Sequence, residues 1–256
     1  MIKQLSLLLL MIIAVWRCSS SLNTTDFGPE ERLNYAIGLY EDEDYEDALI
    51  EFQALLLQYP GSIIVDDTQY YLGMTRYQRG EYIVAAYELS KLIRNMPASE
   101  FVPKSQYMLA ESYYQLSPNF NLDQQYTKKA IVELQAFIDY FPLNEKVAEA
   151  ENQIIELNIK LAKKEYNTAV IYEKLEYYKA AIKYLNNVID TYHDTQYAAM
   201  ASYKKILLLM DREREDEAFA EMKKFLLLYP DDENYIEIEE MKNSLDAQLK
   251  GNFSTN

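Results

Sequence analysis

Beyond its charged side chains, this chain is rich in tyrosine: 24 phenols stand beside one histidine, His193, and one cysteine, Cys18. A single thiol excludes a disulfide framework and a cysteine zinc site, and a single imidazole removes most histidine-based catalytic and metal constellations. No glycine-rich phosphate loop, G-x-S-x-G turn or H-E-x-x-H run occurs. The expectation is a non-catalytic chain without cofactor or metal. Tyrosines supply non-covalent recognition instead, because each offers flat apolar area with a polar tip at low entropy cost. The formal net charge of −16 repels a phosphate backbone, so nucleic acid is not an expected partner. His193 stands at a helix end, where a capping or solvent-exposed role is the expectation.

Cys18 has a particular setting. Lys3 precedes an apolar stretch from Leu5 to Trp16, and Ser19, Ser20 and Ser21 follow the cysteine. About a dozen apolar residues fall short of the roughly 20 that a membrane span needs, but suit the core of an export signal. The arrangement resembles a bacterial lipoprotein signal over residues 1–17, with Cys18 as the lipidated residue and 18–28 as a linker. Arg17 stands where such signals usually carry a small residue, and Val15 replaces the common leucine. Two other assignments stay open: an exported chain with Cys18 merely near its cleavage site, or a retained N-terminal anchor.

The elements that would position the tyrosines come from a repeat. "YEDALIEFQALLLQYP" (45–60) has counterparts at 82–97, 127–142, 178–193 and 215–230. Twelve residues before each end stands an alanine: Ala48, Ala85, Ala130, Ala181, Ala218. Eight before it stand Phe52, Leu89, Leu134, Leu185 and Met222, and the end itself is proline four times and His193 once. Alanine lets a neighbouring helix approach, the large residues fill the groove, and proline cannot continue the helix. A second apolar-periodic segment precedes each copy, with Ala36, Gly73, Ala110, Ala169 and Ile206 at its close-approach point. This resembles the tetratricopeptide (TPR) pattern. The expected fold is all-α: a superhelical array of five TPR-like helix pairs plus a C-terminal capping helix, with one long helix joining repeats three and four.

Two spacings break the regularity. Ala110 and Ala130 are twenty residues apart instead of twelve, which places a loop at "QLSPNFNLDQQY". Pro142 and Ala169 are 27 apart against 13 elsewhere, with no Gly or Pro between 143 and 178. Val147, Ala150, Ile154, Leu157 and Leu161 form a helical stripe there, which predicts one continuous helix of about 30 residues, on the order of 45 Å long. The units then run 29–142 (repeats one to three), 143–250 (long helix, repeats four and five, cap) and 251–256 (tail). The cap is expected to use Ile238, Met241, Leu245 and Leu249.

In stacked TPRs the first helix of each pair lines the concave face. One set of positions there reads Leu33, Tyr70, Tyr107, Tyr166, Tyr203; a second reads Tyr40, Tyr77, Tyr114, Glu173, Met210; a third reads Ile37, Met74, Glu111, Val170, Leu207. Repeats one to three therefore offer a candidate peptide groove of Tyr40, Tyr70, Tyr77, Tyr107 and Tyr114 with Ile37 and Met74. Two assignments are open for these tyrosines, groove lining or packing between repeats. In repeats four and five, Tyr203, Leu207, Met210, Asp211, Arg212 and Arg214 are the candidate contacts for a partner protein.

Signal, five repeats, interrupted repeat three and long helix, in that order, resemble the BamD family, the outer-membrane lipoproteins of the β-barrel assembly machinery. The resemblance covers residues 27–235, above all "LNYAIGLYEDEDYEDALIEFQALLLQYP", "SPNFNLDQQYTKKAIVELQAFIDYFP" and "LAKKEYNTAVIYEKLEYYKAAIKYLNNVIDTYHDTQYA". It implies a non-catalytic scaffold held at the periplasmic face of the outer membrane by a lipid anchor. It further implies that the N-terminal repeats receive C-terminal segments of unfolded outer-membrane proteins, and that the C-terminal repeats hold a BamA-like barrel subunit. Another exported TPR scaffold of the cell envelope, or a SusD-like carbohydrate-binding lipoprotein, are the alternatives; the latter are about twice as long.

Overall fold

The computed structural model describes residues 26–253, so Cys18 and the signal assigned to 1–17 lie outside the described residues. Eleven α-helices follow one another there, without a strand among the described residues. They are α1 (Pro29–Glu41), α2 (Tyr45–Gln58), α3 (Val65–Gln78), α4 (Tyr82–Asn95), α5 (Val102–Gln115), α6 (Gln125–Tyr140), α7 (Val147–Lys174), α8 (Tyr178–Thr191), α9 (Gln196–Asp211), α10 (Glu215–Leu228) and α11 (Tyr235–Phe253). Each packs chiefly on its sequence neighbours, which makes five antiparallel pairs and a cap, a TPR-like array.

The alanine ladder does what its chemistry requires. Ala48, Ala85, Ala130, Ala181 and Ala218 are fully buried, as are Phe52, Leu89, Leu134, Leu185 and Met222 one turn later and Leu92, Phe137, Val188 and Phe225 beyond them. Gly73 marks a close approach: a Cβ there would lie 2.8 Å from Leu89 Cγ. Every second helix stops two residues before its Pro or His193, and a backbone bond closes the turn, as from Ser62 N–H to the Tyr59 carbonyl at 3.1 Å. His193 itself is exposed beside Asp194.

The turns inside four of the pairs share one geometry, repeat three having its insertion there instead. Asp44, Glu81, Tyr177 and Arg214 each donate their N–H to the carbonyl five residues back, at 2.8, 3.0, 2.9 and 2.9 Å. That bond needs a left-handed residue just before it, and the positions hold Glu43 (φ 63°), Gly80 (φ 74°), Glu176 (φ 62°) and Glu213 (φ 57°). Only Gly80 adopts this conformation without a Cβ penalty. Glu213→Gly is therefore expected to raise the unfolding free energy by roughly 0.5–1 kcal/mol, the steric relief less the greater chain entropy of glycine, and Gly80→Ala to lower it by about 1 kcal/mol. Urea unfolding of both variants checks the pair of signs.

A polar clasp joins the helices within four of the five pairs. Arg32 Nε donates to Glu51 at 2.5 Å, Gln69 to Glu88 at 2.8 Å, Gln106 to Glu133 at 2.9 Å and Ser202 to Glu221 at 2.8 Å. Repeat four departs from this: Glu165 and Tyr184 hold the two positions, and Tyr184 stacks on Tyr172 at 5.2 Å.

Helix α7 is continuous over 28 residues. Its first half packs Ala150 and Leu157 into the core of repeat three, with Tyr107, Ala110, Leu134 and Phe137. Its second half packs Ala162 and Ala169 into the core of repeat four. One rigid rod thus belongs to two cores. The repeat-three insertion occupies the interval between α5 and α6. In α11, Ile238 and Leu245 are buried and Met241 packs beside them, while the helix runs to Phe253, three residues into the stretch expected to be a tail.

Candidate functional site

The first helices of the pairs carry the candidate groove. Ile37 and Tyr40 lie partly buried on the repeat-one core, with the Tyr40 ring 5.8 Å from Tyr45 and 5.5 Å from Tyr71. Met74 and Tyr77 are half-buried, and the Tyr77 ring leans on Tyr82 at 5.2 Å. Tyr114 is half-buried on the repeat-three core. These residues keep part of their surface exposed.

Tyr70 and Tyr107 are placed differently. Each sits beneath the residue that opens the next repeat: Tyr70 stacks on Phe101 at 4.6 Å, and Lys146 Nζ lies 5.6 Å over the Tyr107 ring. The same joint recurs where Tyr166 meets Tyr197 at 5.8 Å. Tyr107 is only 8% exposed and sits edge-on to Phe137 at 5.3 Å. For these two, packing between repeats describes the ring, because the next repeat covers it.

The hydroxyls reach across repeats to carboxylates. Tyr77 donates to Glu111 at 3.4 Å, Tyr114 to Glu156 at 2.7 Å and Tyr203 to Glu237 at 3.1 Å, and the Tyr107 phenol faces Glu149. Glu111 also accepts from Gln115 and Gln153, each at 2.7 Å, while the buried Oε1 of Gln153 has no partner. The sequence contains this ladder as a tyrosine and a glutamate 34 residues on, or 42 where repeat three is longer. Of these carboxylates only Glu111 is placed on the tyrosine face by its spacing, and a polar pair across two repeats leaves no apolar period that would connect the others.

Burial pushes the Tyr70 and Tyr77 phenols up to about 12, and the bond to Glu156, with burial second, does the same for Tyr114. Burial and then the bond to Glu149 raise Tyr107. Between pH 10 and 12 the unfolded chain has released protons that these folded phenols still hold. Their stabilisation is therefore complete below pH 10 and is lost as pH rises through the folded values. We expect urea midpoints to fall across that window. Part of the phenolate absorbance should appear only on unfolding, and Tyr114→Phe should make the alkaline decline shallower.

At the other end, Tyr203 and Met210 are partly buried and Leu207 is 38% exposed. Arg212 pairs with Asp211 at 2.6 Å and holds its guanidinium 4.1 Å over the Tyr178 ring. Arg214 pairs with Glu217 at 2.6 Å. Both arginines line an apolar cleft of about 580 Å³ with Glu176, Tyr177, Tyr178 and Lys179. Leu175 and Tyr177 stand exposed there, so the turns of repeats four and five form one surface. The candidate residues divide between that surface (Arg212, Arg214) and the concave face of α9 (Tyr203, Leu207). Tyr177 and Tyr178 were not singled out in the sequence, since nothing in it shows that the two turns meet.

No helix among the described residues is long and apolar enough to cross a membrane. Among solved structures, the TPR2AB domain of yeast Sti1 is 16% identical with a TM-score of 0.43, covering 88% of this chain and 86% of that one. A thermophilic TPR protein of Thermus thermophilus is 19% identical with a TM-score of 0.37, covering 85% and 98%. Among curated relatives, the outer membrane protein assembly factor BamD of Rickettsia prowazekii (strain Madrid E) is 27% identical over 218 residues, which is 84% of this chain and 87% of that protein. Residues 33–217 match the family described as "YfiO: Outer membrane lipoprotein", and the chain belongs to that family.

Proposed function

We propose that this chain is a non-catalytic scaffold in the assembly of outer-membrane proteins. In this reading it is lipid-anchored through Cys18 at the periplasmic face of the outer membrane. The concave face of repeats one to three receives extended segments of unfolded β-barrel proteins, at their C-terminal ends. The surface at the turns of repeats four and five, with Arg212 and Arg214, holds a BamA-like barrel subunit.

The observation that carries the reading is the concave face itself. Tyr40, Tyr77 and Tyr114 recur at the same 37-residue step, beside Ile37 and Met74. The hydroxyls, with the carboxylates that Tyr77 and Tyr114 bond, give acceptors for the N–H groups of an extended strand, and the rings give area for its aromatic side chains. The BamD relative agrees with this assignment in its name.

Affinity purification of the full-length protein from detergent-solubilised membranes tests it. A large β-barrel assembly protein should co-purify, and Arg212→Glu with Arg214→Glu should release it. Tyr77→Ala with Tyr114→Ala should weaken capture of an unfolded barrel protein while the barrel subunit stays bound. Absence of any barrel protein from the wild-type eluate would count against the reading, and so would a carbohydrate as the bound ligand.

A further inference from the structure

The repeat-three insertion lies along α7, and three lysines of that helix face it. Lys160 Nζ donates to Ser117 Oγ at 2.9 Å, Lys164 Nζ donates to the Leu122 carbonyl at 2.7 Å, and Lys163 Nζ sits 4.4 Å over the Phe120 ring. Their partners are a hydroxyl, a carbonyl and an aromatic face, and none of the three is in an ion pair among the described residues. Elsewhere Lys91, Lys146, Lys204 and Lys205 are each paired with a glutamate. Other lysines, Lys128 and Lys129 among them, are likewise without a salt bridge among the described residues; what sets these three apart is that they gather at one insertion in a chain of net charge −16.

The cluster borders a shallow cleft of about 500 Å³ lined by Pro118, Phe120, Ile159, Lys160, Lys163 and Glu156. Glu156 is already engaged with the Tyr114 hydroxyl, and this bond places the cleft next to the last tyrosine of the groove. Asp123 and Glu165 lie on the far side of the insertion, with Lys164. Each ammonium has three donors, and Lys160 spends one on Ser117 while Lys163 spends none on a hydrogen bond. Along the groove itself the carboxylates Glu111, Glu149 and Glu156 outnumber the one ammonium, Lys146, which pairs with Glu149 beside the Tyr107 ring. A free carboxylate is repelled there and attracted at the cleft. The segregation of charge fixes a direction for a bound segment.

We propose that this cleft is a terminal subsite: Lys160 and Lys163 bind the α-carboxylate of an extended peptide, and Phe120, Pro118 and Ile159 cover its last apolar side chain. The proposal rests on the reading that repeats one to three receive extended segments, and adds where the segment ends and which way it runs. Lys164 has a different task, holding the insertion on α7 so that the cleft exists.

The test uses the full-length protein in detergent and one aromatic-ended synthetic peptide in two forms, free acid and C-terminal amide, followed by fluorescence anisotropy. The wild type should bind the acid about tenfold more tightly than the amide, the difference expected for one charge-assisted contact. Lys160→Gln with Lys163→Gln should bind both forms as the wild type binds the amide, with an unchanged thermal midpoint, and Lys160→Arg with Lys163→Arg should restore the preference. Equal binding of acid and amide by the wild type overturns the subsite and leaves the groove reading intact. Binding of neither form removes the groove reading and the subsite with it. If phosphatidylglycerol vesicles lose binding in the Gln variant while the acid and amide never differ, the lysines serve a lipid phosphate and the carboxylate assignment is overturned.

Discussion

Phe137→Ala is expected to lower the unfolding free energy by about 3–5 kcal/mol, the cost of emptying a fully enclosed aromatic site. Phe137 is fully buried, where α5, α6 and α7 converge. Its ring meets Tyr107 edge-on at 5.3 Å and Phe141 at 5.9 Å, and shares its cluster with Ala150 and Leu157 of the long helix. Helices fixed on both sides cannot collapse into the vacated volume. Domains of this kind have only about 5–15 kcal/mol in total, so the variant sits near the limit of folding. The spatial pattern of the loss is the sharper expectation. In a linear array each repeat stabilises only its neighbours. Helix α7, however, is one rod in the cores of repeats three and four, so loosening its first half weakens the support of its second. Amide hydrogen exchange should quicken in α5, α6 and the whole of α7. Phe52→Ala removes the same ring from repeat one, and its faster exchange should stay within α1 to α3. If the Phe137 variant shows equally local exchange, α7 does not couple the two halves.

What was legible in the sequence was whatever repeats and is buried. Ala48 and its four equivalents, the large residues four later and the prolines report one constraint five times over, close helix approach followed by a stop. The long helix was legible for the opposite reason, since 143–178 lacks any residue able to interrupt it. The positions of the candidate groove follow from the spacing, but which of them stay at the surface does not. Tyr70 and Tyr107 occupy concave positions by spacing, yet Phe101 and Lys146 of the following repeats lie over them. How far one repeat overlaps the next depends on the superhelix and is not written in the spacing of either. The tyrosine–glutamate ladder was missed for a related reason: a polar pair across two repeats leaves no hydrophobic period to detect. The three lysines at the insertion look like a solvated helix face until the insertion is seen lying on them.

The clasp within repeat five should give the other large effect, because it buries charge. Glu221 is 4% exposed and accepts Lys205 Nζ at 2.7 Å and Ser202 Oγ at 2.8 Å. Lys205→Met keeps most of the side-chain volume and removes the ammonium, leaving a buried carboxylate with one neutral donor. Breaking a buried pair from one side costs on the order of 3–5 kcal/mol. Replacing both partners is a different experiment: Lys205→Met with Glu221→Leu also removes the desolvated charge, and should recover most of that loss. The Ser202 hydroxyl can then turn to a carbonyl of its own helix, as Ser112 does toward Met108 at 2.7 Å. Urea unfolding of the wild type, the single and the double variant gives the coupling directly. The comparison also separates stability from shape. Lys205 and Glu221 join α9 to α10, and the turn between those helices carries Arg212 and Arg214. If the proposed barrel partner binds at that turn, a double variant that regains stability but fails to retain the partner would show that the clasp sets the angle at which the turn is presented. Should it regain both, packing alone sets the angle.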